Sequence, residues 1–150
     1  MLTLIRATSD NLDFHNLVAQ LDLNLKDNDG DDHAFFAQYN RLDSIKEVIV
    51  AYNDGVAAGC GAIKKYTETV AEVKRMFVHP GFRRQGIAKQ ILTGLEEWAK
   101  ELNYTSILLE TGNKQTEAIE LYQSSGYSII PNYGQYADVE SSVCMQKQLI

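Results

Sequence analysis

The stretch Ala71–Lys89, A-E-V-K-R-M-F-V-H-P-G-F-R-R-Q-G-I-A-K, decides the fold. Its first half, Glu72 to Val78, is rich in β-branched and aromatic residues and stops at His79-Pro80-Gly81, so it reads as a strand closed by turn residues. From Gln85 the apolar residues Ile87, Ile91, Leu95, Trp98 and Leu102 recur at three and four positions, the period of one helical face, up to Asn103. The turn between them carries Arg83-Arg84-Gln85-Gly86-Ile87-Ala88 at the start of a helix, where unpaired N–H groups and partial positive charge suit a phosphate. The plainer alternative is a basic, solvated helix start in which Gly86 only eases a tight turn. The spacing is not G-x-G-x-x-G, and the Gly81 to Gly86 interval is followed by Ile87-Ala88 rather than Lys-Ser or Lys-Thr, so neither a Rossmann turn nor a P-loop fits.

Outward from this unit, Ser106 to Glu110 is an apolar strand. A whole helix separates it from the Glu72 strand, so the two should lie parallel as one β-α-β unit. Upstream, Glu47–Tyr52, the turn Asn53-Asp54-Gly55 and Val56–Tyr66 read as a hairpin, and Val70–Val78 returns antiparallel by way of Thr67-Glu68-Thr69. The small residues Gly59-Cys60-Gly61-Ala62 indicate a helix packed close against that strand in preference to a bulge. Leu2–Arg6 is a first strand, and Thr8-Ser9-Asp10 offers caps for a helix whose apolar face is Phe14, Leu17, Val18, Leu21 and Leu25. Lys26–Asp32 reads as a solvated turn, because Gly30 is misplaced for an EF-hand and no glutamate closes the loop. A short helix is expected over Ala34–Asn40. Downstream come a helix over Lys114–Ser124 stopped by Gly126, a strand over Tyr127–Ile130, a loop over Pro131–Ser141 and a last strand over Ser142–Leu149.

The strand's Met76-Phe77-Val78 end followed by Arg83-x-x-Gly86-x-Ala88 resembles the pyrophosphate-binding motif of the GNAT superfamily of acetyl-CoA-dependent N-acetyltransferases. Ala118-x-x-x-Tyr122 followed by Gly126-Tyr127 is similar to a second signature of that family, and the likeness covers about residues 47–130. The fold class this implies is α+β, an α/β mixed sheet: a single domain over residues 1–150 with a mostly antiparallel central sheet, one splayed parallel strand pair and flanking helices. The resemblance implies acetyl-CoA as acyl donor, held by Met76, Phe77, Val78, Arg83, Arg84, Gln85, Gly86, Ile87, Ala88 and Gln115, the last standing where many members have asparagine. Backbone groups freed by the splay would pair with the pantetheine amides and stabilise charge on the carbonyl oxygen.

Glu72 lies eleven residues before Arg83, where many members carry a glutamate base, against the alternative of a surface carboxylate on a strand. Tyr122 is the candidate donor of a proton to the departing thiolate, against the alternative of an aromatic on the core face beside Ala118 and Ile119. Tyr133, Gly134, Tyr136 and Ser142 lie where the family often borders the acceptor, although tyrosines covering a sheet end would look the same. The functional reading is transfer to a primary amine of a small molecule or peptide by direct attack in a ternary complex. From a different class comes an acetyl-CoA-binding module without turnover, and a nucleotide-binding regulator stands further off.

With 150 residues, 45% of them hydrophobic, the chain suits one domain with a sizeable core. A formal charge of −6 argues against nucleic acid or an anionic membrane as partner and leaves amine substrates compatible. No apolar run approaches the roughly 20 residues of a membrane span, and Met1–Asp10 lacks signal-peptide features, so a cytoplasmic protein is expected, with room for a homodimer. Cys60 and Cys144 read as buried thiols without disulfide spacing. His15, His33 and His79 have no ligand spacing, so no metal is implied.

Overall fold

Two hairpins build the first half of the sheet. The computed structural model describes residues 1–29 and 45–149, and its strands are β1 (Leu2–Ala7), β2 (Glu47–Asn53), β3 (Val56–Lys65), β4 (Val70–Val78), β5 (Ser106–Gly112), β6 (Ser128–Ile130) and β7 (Ser142–Gln148). Between β2 and β3, Asp54 and Gly55 take φ of 50° and 84°, the left-handed pair that a two-residue hairpin turn needs to match strand twist. The strands lie in the order β1-β2-β3-β4-β5-β7-β6, with every neighbouring pair antiparallel except β4 and β5. This is the mixed sheet with one parallel pair that the sequence predicts.

The helices are α1 (Leu12–Asp29), α2 (Ile87–Glu101) and α3 (Thr116–Ser124). On one face of the sheet, Phe14, Leu17, Val18 and Leu21 of α1 pack with Val48, Val50, Cys60, Ala62 and Phe77. On the other, Ile87, Ile91, Leu92, Leu95 and Ala99 of α2 pack with Ile49, Ile63, Val73 and Leu109, and Tyr122 and Tyr127 join them. The burial of these aliphatic side chains, at about 1.5–3 kcal/mol each, is the main force holding helices to sheet.

Several boundaries differ from expectation. Asn11, not Thr8-Ser9-Asp10, caps α1: its Oδ1 accepts from the Phe14 N–H at 2.9 Å. The helix continues through Asp29 and so takes in Lys26–Asp29, the first part of the expected turn, while Ala34–Asn40, His33 and the side chain of Leu25 lie outside what is described. The buried face of α2 runs through Leu92 and Ala99, whereas Leu102 lies past the helix end and is exposed, and Trp98 is half-buried with the Arg6 guanidinium 4.6 Å from its ring centre. Gly126 ends α3 at φ 96°, as a C-terminal stop should.

The glycines of β3 serve close packing. A Cβ on Gly61 would stand 2.5 Å from Met76 Sδ and 2.9 Å from Ile91 Cγ2, so α2 rests almost on the strand backbone. A bulge is present as well, on the facing strand. The register passes from Ala62↔Lys74 to Cys60↔Phe77, so Arg75 and Met76 together oppose Gly61. Arg75 takes φ 62°, a left-handed conformation that is costly for a residue with a Cβ. Its buried guanidinium reaches Asp22 of α1 at 3.1 Å, and its carbonyl accepts from Cys60 Sγ at 3.4 Å. The extra residue resets the alternation of β4, returning Phe77 to the α1 face and placing Met76 against α2.

Candidate active site

Parallel pairing between β4 and β5 consists of Val70↔Ser106, Ala71↔Ile107 and Glu72↔Leu108, and then stops, although β4 continues to Val78 and β5 to Gly112. The strands therefore part at their C-terminal ends, the splay that the family resemblance implies. A cavity of about 760 Å³ occupies the gap. That is within the range of cavities that bury a small ligand.

One end of the cavity is the strand-to-helix turn. Arg83, Arg84, Gly86, Ile87 and Ala88 line it, joined by Lys89 and Lys114. Gly86 is the N-cap residue of α2 with φ 77°, and a side chain added there would meet no protein atom within 4 Å. A left-handed glycine, a helix N-terminus opening on free space and four nearby cations together fit an anionic group. Arg83 shapes this turn by donating from Nε to the Val78 carbonyl at 2.9 Å, with its guanidinium carbon 5.7 Å from the Phe77 ring centre. Gln85 is the expected cofactor contact that the structure leaves off the cavity wall; its side-chain oxygen instead accepts from Asn53 Nδ2 at 3.5 Å.

Met76, Phe77, Val78 and Gln115 also line the cavity, and so does Tyr122. The Tyr122 ring packs edge-on to Tyr127 at 5.8 Å, and its hydroxyl is buried with no hydrogen-bond partner among the described residues. Burial, and secondarily the charge of Glu110, raises its pKa well above the ordinary phenol value, so it holds its proton at neutral pH. An unpartnered buried hydroxyl is costly. On a cavity wall it marks a place where a ligand atom completes the pairing.

The far end of the cavity lies on the α1 side of the sheet and is polar. Leu21, Lys74, Glu110 and Tyr136 line it. Ser142 does not, but its Oγ donates to Glu110 Oε2 at 2.7 Å. Glu72 does not either: it is 6% exposed, Tyr133 Oη donates to its Oε2, and Lys74 Nζ lies 3.4 Å from its Oε1. Tyr133 is likewise off the wall, its hydroxyl pushed strongly upward in pKa by burial and then by the neighbouring Glu72 charge. Glu110, Lys74, Lys89 and Lys114 were not singled out by the sequence. Glu110 carried a signal that could have found it, since it is a charged residue closing the apolar run Ile107-Leu108-Leu109 on a strand whose end faces the site.

Residues 14–127 match the model of the acetyltransferase (GNAT) family. The chain belongs to that family. An IAA acetyltransferase of Azospirillum brasilense is 38% identical over 102 residues, covering 67% of each chain. Among solved structures, a protein of Klebsiella pneumoniae assigned as an acyl-CoA N-acyltransferase superposes with a TM-score of 0.84 at 28% identity, covering 100% of this chain and 99% of that one. A GNAT family acetyltransferase of Elizabethkingia anophelis, solved with acetyl-CoA bound, shares the fold with a TM-score of 0.70 at 19% identity over 98% of this chain and 97% of its own. The family member is an acyltransferase, and acyl transfer is the chemistry its site has to perform. Among the described residues no group of side chains could hold a metal ion, and no helix is long and apolar enough to cross a membrane.

Proposed function

We propose that residues 1–150 act as one domain that transfers the acetyl group of acetyl-CoA to a primary amine of a small molecule or peptide, by direct attack in a ternary complex. The observation that carries this reading is the Tyr122 hydroxyl, without a hydrogen-bond partner among the described residues, on the wall of a cavity that also takes in a cationic helix N-terminus and a polar wall. Acetyl-CoA, when bound, supplies a thioester carbon activated towards amines. Arg83, Arg84 and the N–H groups of Gln85 to Ala88 would hold its pyrophosphate, and the edge of Met76–Val78 that β5 no longer pairs would hold its amide arm. Tyr122 would give its proton to the departing sulfur; burial disfavours a thiolate in that place as much as a phenolate, which sustains the transfer. The acceptor would enter from the α1 side, where Lys74, Glu110 and Tyr136 make the cavity wall polar. The acidic composition and the two free, buried cysteines agree with a cytoplasmic setting.

The test is release of free thiol from acetyl-CoA across a panel of amines, amino acids, polyamines and peptides. Amine-dependent thiol release is expected. Tight coenzyme binding with no turnover on any acceptor would favour a binding module.

A further inference from the structure

The geometry points to Glu110, rather than Glu72, as the carboxylate that takes the proton from the acceptor ammonium, with Glu72 as a positioning residue that holds the Tyr133–Tyr136 turn against β4. This rests on the acetyltransferase reading and assigns its base. Three observations carry it.

First, Glu72 belongs to the closed part of the sheet. It sits on the last rung of the parallel pair, Glu72↔Leu108, before the strands part. Both carboxylate oxygens are engaged, one by the Tyr133 hydroxyl and one by Lys74, and neither faces the cavity. An ammonium reaching this carboxylate would have to displace the half-buried Tyr133 or Lys74, and either displacement breaks a bond to a carboxylate that is itself buried.

Second, Glu72 has structural work to do where it is. Tyr133 packs edge-on to Tyr66 at 5.2 Å and to Tyr136 at 5.8 Å, and Lys74 Nζ donates to the Tyr136 hydroxyl at 3.4 Å. Glu72 thus binds, directly and through Lys74, both tyrosines of the turn that delivers Tyr136 to the cavity wall.

Third, Glu110 lies two residues beyond the last rung, in the open part of β5, half-buried and on the cavity wall with Tyr122. Its charge contributes to the raised proton affinity of both Tyr122 and Tyr136, so it stands within electrostatic reach of the group that serves the sulfur and of the acceptor wall. The titratable groups around it are Glu72, Lys74 and Arg75 of β4, Tyr122 and Glu117 of α3, Lys114 before that helix, Tyr136, and Cys144 opposite it on β7. Arg75 is occupied by Asp22.

In the reaction, Glu110 accepts one proton from the ammonium and passes it to solvent. The freed nitrogen lone pair forms the N–C bond, the C–S bond breaks with its electron pair leaving on sulfur, and Tyr122 protonates that sulfur. The second nitrogen proton returns through water to the Tyr122 oxygen. One acetamide, one thiol and one released proton result.

The experiment compares Glu110→Gln, Glu110→Asp and Glu72→Gln with wild type. Coenzyme A affinity is measured by calorimetry, and steady-state kinetics are followed from pH 5 to 10 with whichever of phenethylamine, spermidine and an alanyl tripeptide wild type acetylates fastest. Glu110→Gln is expected to lower kcat/KM about 10²- to 10⁴-fold at neutral pH and to erase the acidic limb, with the rate recovering as more amine is neutral. Glu110→Asp keeps a carboxylate and should keep the limb at a reduced rate. Glu72→Gln should retain the limb and raise the acceptor KM more than it lowers kcat, and all three should bind coenzyme A within about twofold of wild type. Loss of the acidic limb in Glu72→Gln with its retention in Glu110→Gln would overturn the assignment. Coenzyme A binding without turnover by wild type would overturn the transferase reading itself and the base with it.

Discussion

The Ser142 hydroxyl donates to Glu110 Oε2 at 2.7 Å, tying the first residue of β7 to the carboxylate at the open end of β5. A hydrogen bond to a charged group contributes about 1.5–3 kcal/mol, and here it favours the ionised form. Ser142→Ala should therefore move the acidic limb of the pH–rate profile to higher pH while leaving coenzyme A affinity unchanged. A limb that stays in place would mean that Ser142 does not act on the base.

The strand-to-helix turn should bind coenzyme A through charge and backbone together. Replacing Arg83 and Arg84 by alanine is expected to weaken that binding by about 1–3 kcal/mol, the scale of charge-assisted hydrogen bonds. Arg83→Ala alone should also lower thermal stability, because its Nε holds the Val78 carbonyl, whereas Arg84→Ala should not. Calorimetry and thermal melts on the two single variants separate these effects.

Packing at β3 gives a stability prediction independent of function. A side chain at Gly61 would collide with Met76, Ile91 and Leu95, all within 3.0 Å of an added Cβ. Gly61→Val should cost about 1–3 kcal/mol through overpacking, read as a lower urea midpoint with an unchanged slope. A variant as stable as wild type would mean that α2 rides further from the sheet than described.

Much of this architecture was legible because local pattern and tertiary role coincide. The Ala71–Lys89 strand, turn and helix follow from a change of period, and the motif around Gly86 sits where a helix N-terminus meets open space. The carboxylate proposed as base was harder to read. Glu110 reaches the wall only because β4 and β5 part after Leu108, and it meets Ser142 only because Gly112 pairs with Ser142 across a long connection. Nothing in E-V-K-R-M-F-V announces that Arg75 turns left-handed, since the bulge answers to Gly61 and Asp22 on other elements. Glu72 was found by its offset from Arg83, but an offset along the chain does not show that Tyr133 and Lys74 engage its carboxylate.

Alkaline pH should destabilise the fold. Tyr122, Tyr127, Tyr133 and Tyr136 all have pKa values raised above the ordinary 10.0, with burial the largest cause in each. The folded state therefore keeps these protons while the unfolded chain releases them, so their stabilisation is complete below about pH 10 and declines above it. Urea midpoints should be flat from pH 7 to 9 and fall by pH 11, and these phenols should ionise only with unfolding. Four tyrosines titrating near pH 10 with the fold intact would contradict the burial described.

The central claim is tested most directly by mixing the purified chain with acetyl-CoA and an amine panel, then counting amide product by mass spectrometry against free thiol, for wild type and Tyr122→Phe. The account predicts one acetylated amine per thiol for wild type. Tyr122→Phe should bind coenzyme A as tightly and melt no lower, because the lost hydroxyl has no hydrogen-bond partner among the described residues, yet its kcat should fall about 10²- to 10⁴-fold. Equal kcat for the two proteins, or coenzyme A bound at the turn with no acetylated amine from either, would contradict it.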